Sequence, residues 1–583
     1  MIPKAIPRYW RSAAMATAIL LLMGCTDHSG QSEVGSETVG SEQPNFLVVV
    51  ADDLGYSDIG AFGGEIETPN LDGLARKGLR LTSFYTSAAC SSTRAMLITG
   101  TDNHIAGFGS TAVVLPPQQG QPGYELSLNP EIPTIAERLR GQGYDTLMSG
   151  KWHLGKKPGS TPHTRGFSRS FALLDGGHNH FEAMRLSPLE SSYRSNGEPA
   201  DWPEGGYSTD IFTDRLLGFL RERAGSDRPF FAYLAYTAPH WPLQAPRKDI
   251  EKYMGRYDAG PRAIAGERLA RQIELGVVPA DVVPHDMDGL PDWSALSGKE
   301  RALEARKMAV YAAMVDRLDR NLGRVLEELE KQGVRDNTYI IFLSDNGAEG
   351  LFGDYGDNWG FAAIQAMMKR AKVADEIDNS LDNLGAPDSW FAYGRGWAHV
   401  GEVPWRLFKT FSTEGGIRNS AVVAGPGVPA GEIIDSFLHV ADIPATLVDL
   451  ASGSGKGADR AEPGPNQIGH SWVPLLNGEA TSVYGDDESI GWELFGGAAL
   501  RRGEWKITYV PDFDLGRNPG HWGPGRWELF NLREDPGETT DLSDRYPDMR
   551  RKMIAAWADY ARENQVVLLS PDTQAPAQEE EKP

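Results

Sequence analysis

Four short segments with apolar runs organise the hydrophobic pattern of the first 350 residues. The first of them is continuous, without alternating polar positions, which is typical of a strand buried on both faces of a parallel sheet. The runs cover Phe46–Ala51, Tyr144–Ser149, Pro229–Tyr236 and Thr338–Leu343. A short helix is predicted over Ile132–Leu139, and apolar residues at helical spacing predict a long amphipathic helix over residues 303–332. We therefore expect an α/β fold in which helices sandwich a large, mostly parallel mixed sheet.

The pattern changes after residue 451. A Gly- and Pro-rich stretch over residues 452–469 is predicted to be a linker. The runs that follow predict a small antiparallel sheet and a final helix: Ile490–Phe495, Ala499–Tyr509, Trp527–Leu532 and the helix Tyr546–Asn564. The sequence thus predicts a main domain over residues 45–451, a smaller C-terminal domain of antiparallel sheet plus helix over 470–570, and a disordered tail over 571–583.

Between Leu351 and Trp405 the chain is rich in Gly, Asp and aromatic residues. Two interpretations fit this composition. One is an ordered loop that lines or covers a pocket, and the other is a surface excursion with a small core of its own. The sequence leaves both open.

The N-terminus has the pattern of an export signal. Three basic residues precede an apolar stretch, Ala13–Met23, which is too short to span a bilayer. The stretch leads into Leu-Met-Gly-Cys25, which resembles a bacterial lipobox, and a polar segment follows. We predict a lipoprotein-type signal peptide over residues 1–24, lipidation of Cys25 and a flexible tether over residues 25–44. An ordinary secretory signal is the alternative.

The export signal predicts a location in the periplasm or at the outer membrane of a bacterium, with membrane contact only through a lipid anchor at Cys25. The formal charge of −23 over 583 residues argues against nucleic acid as a partner, because a phosphate backbone needs a basic face. The chain has two cysteines, Cys25 and Cys90. With Cys25 lipidated, no intramolecular disulfide can form, so the fold relies on its core.

Cys90 is therefore the only thiol of the mature body, and Arg94 follows it four residues later. If the segment after Cys90 is helical, the positive end of the helix and the guanidinium one turn away both favour an anion beside the sulfur. A buried, inert cysteine is the competing interpretation, and it is common for free thiols. Cys90 alone does not decide between them.

Two pairs of oxygen donors follow two of the predicted strands. Asp52 and Asp53 come directly after the first apolar run, and Asp345 and Asn346 come shortly after the last one. Open α/β sheets bind their ligands just beyond the carboxyl ends of the strands. Oxygen donors without His or Cys select Ca²⁺ or Mg²⁺ over zinc. Each residue alone fits a cap or a turn equally well, but two such pairs favour a cation site.

Basic side chains occur at similar positions, after strands or within tight Gly-bounded segments. The candidates are Arg94, Lys151, His153, His240 and Lys409. Together such groups can hold a tetrahedral oxyanion and act as general acids. Taken singly, each is explained as well by a satisfied core histidine or a solvated turn.

These segments, in this order, resemble the motifs of the type I sulfatases of the alkaline phosphatase superfamily. The matching segments are Asp52-Asp53, Cys90-x-x-x-Arg94, Gly150–Gly155, Ala238–Pro242, Ser344–Gly347 and Lys409–Arg418. Three further segments resemble the bacterial arylsulfatases of the Pseudomonas kind: Thr99–Gly107, His240–Pro246 and Arg256–Pro261. The resemblance runs from about residue 45 to about residue 563. It implies the alkaline-phosphatase/sulfatase-like fold, with a catalytic sulfatase domain over residues 45–451.

The resemblance also implies the chemistry. The chain is expected to hydrolyse sulfate monoesters, with aryl sulfates as the expected class, to an alcohol or phenol and inorganic sulfate. Cys90 would be converted to formylglycine (3-oxoalanine) by a formylglycine-generating maturation enzyme, and the hydrated aldehyde would be the nucleophile. One Ca²⁺ per chain would bind that hydrate together with four residues: Asp52, Asp53, Asp345 and Asn346. Asp345 would also be the base that activates the attacking hydroxyl.

The basic residues would then divide the remaining tasks. Arg94 and Lys151 would hold the hydrate. Lys409 and His240 would bind sulfate oxygens, and His240 would protonate the leaving alkoxide. His153 would deprotonate the second hydroxyl, which expels sulfate and restores the aldehyde. An ordinary Ser or Cys nucleophile has no second hydroxyl for this last step.

Two other functions remain open at this point. A phosphonate monoester or phosphodiester hydrolase of the same superfamily shares the nucleophile, but such enzymes typically have Asp-His where this chain has Asp345-Asn346. A weakly catalytic lipoprotein that binds sulfate esters is the other, and Ser92 is its support, because the family motif has proline at that position. We expect Cys90 to be converted all the same, since the rest of the site is intact.

Overall fold

The computed structural model describes residues 43–181, 192–287, 290–353, 376–453, 466–512 and 523–569. The predicted signal peptide, Cys25, most of the tether and of the linker, and the predicted tail lie outside these residues and stay predictions. Within the described part of the chain, no helix is long and apolar enough to cross a membrane.

A large mixed sheet forms the centre of the fold. Its strands are β1 (Asn45–Ala51), β2 (Leu79–Tyr85), β3 (Asp145–Lys151), β4 (Arg169–Leu173), β5 (Tyr193–Ser195), β6 (Glu198–Pro199), β7 (Phe230–Ala235), β8 (Thr338–Ser344), β9 (Arg418–Ala424), β10 (Glu432–Ile434) and β11 (Leu438–His439). Across the sheet the order is β10-β2-β9-β8-β1-β7-β3-β4-β5-β6, and β11 also pairs with β2. The five neighbours β8, β1, β7, β3 and β4 are parallel to one another.

The four apolar runs of the sequence are four of these five central strands, so the mostly parallel sheet is confirmed. Both faces of β1 are buried: Leu47 and Val49 belong to one hydrophobic core, and Phe46 and Val48 belong to the core on the other side. This double burial is why the run has no alternating polar positions. The predicted bounds are off by one or two residues; β3, for example, extends to Lys151.

Helices cover both faces of the large sheet, and the last helix packs against the C-terminal sheet. They are α1 (Pro69–Lys77), α2 (Cys90–Thr99), α3 (Ile135–Gly141), α4 (Ser208–Glu222), α5 (Arg247–Glu251), α6 (Pro261–Leu275), α7 (Gly298–Lys331), α8 (Gly394–Glu402), α9 (Glu414–Ile417), α10 (Asp442–Ala451), α11 (Val473–Leu476) and α12 (Pro547–Glu563). Short 3₁₀ turns occur at Gly60–Phe62, Pro116–Gln118, Trp293–Ala295 and Arg335–Asn337.

Capping residues set the starts of the two helices that the sequence predicts in the main domain. The long helix α7 begins five residues before the predicted position, because Ser297 accepts a hydrogen bond from the Glu300 N–H in a capping box. Helix α3 begins three residues after the predicted position, because Thr134 and Glu137 form the same motif. The helices are confirmed, and their first residues are corrected.

The predicted C-terminal antiparallel sheet is also confirmed. Its strands are β12 (Ser489–Leu494), β13 (Gly497–Arg502), β14 (Trp505–Tyr509) and β15 (Trp527–Asn531), in that order, and α12 packs against them. The predicted run Ala499–Tyr509 is in fact two strands, separated by a turn with Gly503 at a positive φ of 55°. The small sheet contacts the large one: Trp492 Nε1 donates a hydrogen bond to the Thr86 carbonyl at 2.8 Å.

The described part of the aromatic segment joins the large core instead of forming a small core of its own, so the second interpretation is wrong for these residues. Phe391, Tyr393 and Trp397 lie in the large hydrophobic core, and Trp397 begins the second turn of helix α8. The helix was not predicted, because its sequence, Gly-Arg-Gly-Trp, has little helical propensity. Tertiary packing of its apolar face decides the structure there. Residues 354–375 lie outside the described part of the chain.

A buried ionic network joins the loop after α2 to the C-terminal sheet. His104 lies between two carboxylates: its Nδ1 is 3.0 Å from Asp102 Oδ1, and its Nε2 is 3.2 Å from Glu493 Oε2 on β12. Tyr560 of α12 donates a hydrogen bond to the other oxygen of Asp102 at 2.8 Å. Burial lowers the pKa of His104, but its hydrogen bonds to these two carboxylates outweigh this effect and raise the pKa to about 9.

This pKa shift predicts a loss of stability in mildly alkaline solution. The folded pKa of His104, about 9, lies above the ordinary value of 6.5, so its contribution is fully present below pH 6.5 and declines as the pH rises through 9. The shift corresponds to about 3 kcal/mol in the free energy of unfolding. Denaturant unfolding of the wild type and of His104→Gln should therefore give curves of stability against pH that differ in slope between pH 6.5 and 9. Parallel curves would contradict the assignment.

Candidate active site

Strands β1 and β8 bring the two pairs of oxygen donors together. They are parallel neighbours with Ala51 opposite Ser344, so the residues that follow them emerge side by side at the same edge of the sheet. Asp53 has a positive φ of 66°, a conformation that Asp tolerates better than most residues. This turn directs the backbone N–H of Asp53 to Asp345 Oδ1, at 3.2 Å.

Cys90 is the first residue of helix α2, as the sequence suggests. It is buried, and its Sγ lies 3.3 Å from His153 Nδ1. The donor atoms of Cys90, Asp52 and Asp345 all lie within 4.8 Å of one another. Burial raises the pKa of the Cys90 thiol, and the nearby Lys151 and Lys409 do not reverse this. Unmodified Cys90 is therefore a protonated thiol and a poor nucleophile.

Arg94 and Lys151 form ion pairs with two of the buried aspartates. Arg94 donates to Asp345 Oδ2 from Nε at 2.8 Å, and its Nη2 is 2.7 Å from the same oxygen. Lys151 Nζ lies 2.9 and 2.7 Å from the two oxygens of Asp52. Arg94 also donates to the Lys151 carbonyl at 3.0 Å. All four side chains have no solvent exposure, so each charge depends on its partner.

Lys409 and His240 both lie close to the third aspartate, Asp53. Lys409 Nζ is 2.8 Å from Asp53, and His240 Nε2 is 3.6 Å from Asp53 Oδ2. His240 Nδ1 hydrogen-bonds the Trp241 carbonyl, so Nδ1 carries a proton and Nε2 is the nitrogen that faces the site. The Lys409 ammonium has a second acidic neighbour, Glu349, with Oε2 3.4 Å away.

These charges shift the pKa values of the surrounding groups. Burial raises the pKa of Asp52 to about 8, which Lys151 opposes. Burial would also raise the pKa of Asp53, but Lys409 and His240 bring it below the ordinary value. Burial, with the neighbouring cations, lowers the pKa of His153 well below its ordinary value, so its ring is neutral.

The donor set fits a divalent cation of the calcium type. Asn346 donates from Nδ2 to Asp53 Oδ1 at 2.7 Å, while its buried Oδ1 has no hydrogen-bond partner among the described residues. An oxygen left this way is costly to bury and suits a cation ligand. Ligands of one Ca²⁺ are at most about 5 Å apart, and one donor atom each of Asp52, Cys90 and Asp345 lies within 4.8 Å of the others. Carboxylate and amide oxygens are also the donors that Ca²⁺ selects.

Every residue that the sequence nominates therefore lies in this one cluster. The role of each stays a prediction. Two neighbours were missed: Glu349, which contacts Lys409, and Trp241, whose ring stacks on His240 with centroids 5.3 Å apart. Glu349 lies three residues after Asn346, and a polar residue so close to a proposed ligand pair was the available signal. For Trp241 the signal was its position next to His240.

Comparison with known proteins identifies the relatives of this chain. The family model described as Sulfatase matches residues 44–454. An uncharacterized sulfatase of Schizosaccharomyces pombe is 42% identical over 554 residues, which are 91% of this chain and 96% of that protein. An arylsulfatase of Klebsiella aerogenes is 38% identical over 452 residues, 75% of this chain and 91% of that protein.

The fold has matching neighbours among solved structures. The crystal structure of Ps i-CgsB in complex with k-i-k-neocarrahexaose superimposes with a TM-score of 0.62 at 25% identity, and the match covers 90% of this chain and 94% of that one.

The buried ion pairs of the site predict a large stability effect at Arg94. Arg94→Gln leaves the Asp345 carboxylate without its two close contacts, and breaking a buried pair in this way costs about 3–5 kcal/mol. The exposed pair Arg169–Glu222 is the matched control, and Arg169→Gln should cost less than about 1 kcal/mol. Thermal or denaturant unfolding of the two variants measures both. Equal effects would mean that the site charges are far better solvated than their burial indicates.

Proposed function

Since this chain belongs to the sulfatase family of sulfuric ester hydrolases, we propose that it hydrolyses aryl sulfates with formylglycine at position 90 and one Ca²⁺. The observation that carries the proposal is the position of Cys90. Its Sγ lies within 4.8 Å of two buried carboxylates and 3.3 Å from the neutral His153. Burial raises the pKa of the Cys90 thiol, so the unmodified cysteine is a poor nucleophile at this position.

Four residues are proposed to hold the cation: Asp52, Asp53, Asp345 and Asn346. Bound by these residues, Ca²⁺ supplies positive charge that favours the ionised form of a hydroxyl on residue 90. As formylglycine, residue 90 supplies a hydrated aldehyde with one hydroxyl for attack on sulfur and a second for the release of sulfate. Arg94 and Lys151 lie against Asp345 and Asp52, and they are proposed to hold the hydrate of residue 90.

The remaining groups move protons and bind oxygens. His153 Nδ1 lies 3.3 Å from the side-chain sulfur of Cys90. In the converted residue it accepts the proton of the second hydroxyl. Lys409 offers ammonium hydrogens to sulfate oxygens, and the tetrahedral sulfate ester of a phenol has three non-bridging oxygens that accept such hydrogen bonds. His240 is held by its Nδ1–H bond to the Trp241 carbonyl, so Nε2 is the nitrogen available to the leaving oxygen. Burial lowers the pKa of His240 well below its ordinary value, so Nε2 must take up a proton when the ester anion binds before it can protonate that oxygen.

Aromatic side chains beside His240 support an aryl leaving group. Trp241 stacks on the His240 ring, and it also contacts Phe352 at 5.1 Å and Trp390 at 5.9 Å between ring centroids. A planar apolar group bound next to His240 would lie against this wall, and aromatic pairs favour such offset or edge contacts. The Klebsiella aerogenes relative is an arylsulfatase, which supports the same class.

Ser92 is compatible with conversion of Cys90. It lies in the first turn of α2, where the first helical hydrogen bond of the turn is from Thr93 N to Ala89 O. The Ser92 N–H therefore has no helical acceptor, which is the condition under which proline is also tolerated. The Ser92 hydroxyl donates to the Phe108 carbonyl at 2.9 Å. Serine therefore fits the helix start, and the measured conversion of Cys90 decides between the proposal and the weakly catalytic binding lipoprotein.

The proposal predicts activity that depends on conversion of residue 90. Protein produced with a formylglycine-generating enzyme should contain 3-oxoalanine at position 90, measured by peptide mass spectrometry. It should hydrolyse an aryl sulfate at a rate proportional to the converted fraction, and Cys90→Ala should lose at least about 10³-fold.

An aryl phosphonate monoester with the same leaving group is the discriminating substrate. We expect the sulfate ester to react faster, because Asn346 occupies the position where phosphonate hydrolases have His. Faster turnover of the phosphonate would favour that alternative. Fully converted protein that hydrolyses neither ester would contradict the proposal.

A further inference from the structure

Glu349 is a buried carboxylate that the proposed mechanism does not use. It lies at the end of the segment that follows β8, and it is 3% exposed. Its Oε1 accepts a hydrogen bond from the Leu351 N–H at 2.7 Å, and its Oε2 lies 3.4 Å from Lys409 Nζ. Apart from Lys409, no Lys or Arg of the described residues forms an ion pair with it. A carboxylate buried against a single cation is costly unless its charge serves a purpose.

Lys409 contacts two carboxylates, and only one of them is a proposed cation ligand. Its ammonium contacts both Asp53 and Glu349, and its backbone N–H donates to the Ala348 carbonyl at 3.1 Å, which ties the two loops together. Asp53 is a proposed cation ligand, so much of its charge is committed to the metal in the loaded protein. Burial raises the pKa of Glu349 to about 7, which Lys409 opposes, so above that pH Glu349 remains the counter-charge of Lys409.

The net charge of the cation-loaded site depends on the carboxylate of Glu349. The contacting groups comprise four carboxylates and three permanent cations: Asp52, Asp53, Asp345, Glu349, Arg94, Lys151 and Lys409. A bound dication keeps its carboxylate ligands ionised, and the whole set then carries one positive charge. A sulfate monoester is singly charged and neutralises it. Without the charge of Glu349 the set would carry two positive charges and would match a doubly charged phosphate monoester.

We propose that Glu349 is a positioning and specificity-determining residue: its charge holds the Lys409 ammonium at the substrate and matches the site to a singly charged ester. The inference rests on the proposed function, because it assumes that an ester anion and a dication meet at this site. Its physical basis is that a charge mismatch of one unit is expensive in a site from which water is excluded.

A pair of ligands that differ mainly in charge tests the proposal. Benzenesulfonate carries one negative charge, and phenylphosphonate carries two at pH 8.5. Their dissociation constants are measured by calorimetry on the Ca²⁺-loaded Cys90→Ala protein, which needs no conversion and has no turnover. We expect Glu349→Gln to raise the affinity for phenylphosphonate relative to benzenesulfonate by about tenfold or more. Gln keeps the acceptor for the Leu351 N–H, so the loop should retain its hydrogen bond.

Two matched variants separate charge from structure. Glu349→Asp keeps the charge, so the affinity ratio should return toward that of the parent. Glu402→Gln replaces another buried glutamate nearby, whose Oε1 accepts the Ala348 N–H at 2.6 Å. Burial raises the pKa of Glu402 well above its ordinary value, so it is already neutral and the ratio should not change. An unchanged ratio in Glu349→Gln, or an equal change in Glu402→Gln, would overturn the proposal.

Two further measurements keep the proposal falsifiable. The parent protein itself should bind benzenesulfonate more tightly than phenylphosphonate, and the reverse order would contradict the charge match without any variant of Glu349. In converted enzyme, Glu349→Gln should raise the ratio of kcat/KM for an aryl phosphate to that for the matching aryl sulfate, with the larger effect in KM. If the wild type hydrolyses no aryl sulfate, the proposed function fails. If it does so and neither ratio moves, only the role of Glu349 fails.

Discussion

The rest of this structure depends on one electrostatic constraint: three aspartates are buried together at one edge of the sheet. Asp52, Asp53 and Asp345 have almost no exposed surface, and like charges at such short range in a dry site repel strongly. Arg94, Lys151 and Lys409 offset part of the repulsion through direct contacts. Since a cluster of this kind is costly for the fold, its presence favours a function that uses the charge, and a bound cation is the simplest one.

Distant parts of the chain hold the cluster in shape. Thr410, next to Lys409, donates from its backbone N–H to the Ala88 carbonyl two residues before Cys90. This hydrogen bond joins the loop that carries Lys409 directly to the loop that precedes Cys90. The C-terminal sheet supports both loops, because Trp492 bonds the Thr86 carbonyl and Lys506 pairs with Glu414 at 2.7 Å. The small sheet thus packs against the loops of the site and helps to hold them in place.

Sequence reasoning identified the parts of the site that strands determine. Asp52 and Asp345 follow apolar runs that read as buried parallel strands, and neighbouring parallel strands end at the same edge. No local pattern predicts the position of Lys409 on physical grounds; the resemblance to a family assigned it. Glu349 and helix α8 were missed, because loop paths and a Gly-rich helix are decided by tertiary packing that local patterns do not encode. The histidine at position 104 occurred in a recognised segment, but its partner Glu493 lies 389 residues away.

The central claim is that this acidic edge is built to bind one calcium ion. The most direct test is a calorimetric Ca²⁺ titration of chelator-treated protein, with Asp53→Asn measured alongside the wild type. The account predicts one Ca²⁺ per chain for the wild type, a rise in unfolding temperature on binding, and loss of both in Asp53→Asn. A wild type that binds no Ca²⁺, or a variant that binds it as tightly as the wild type does, would contradict the account.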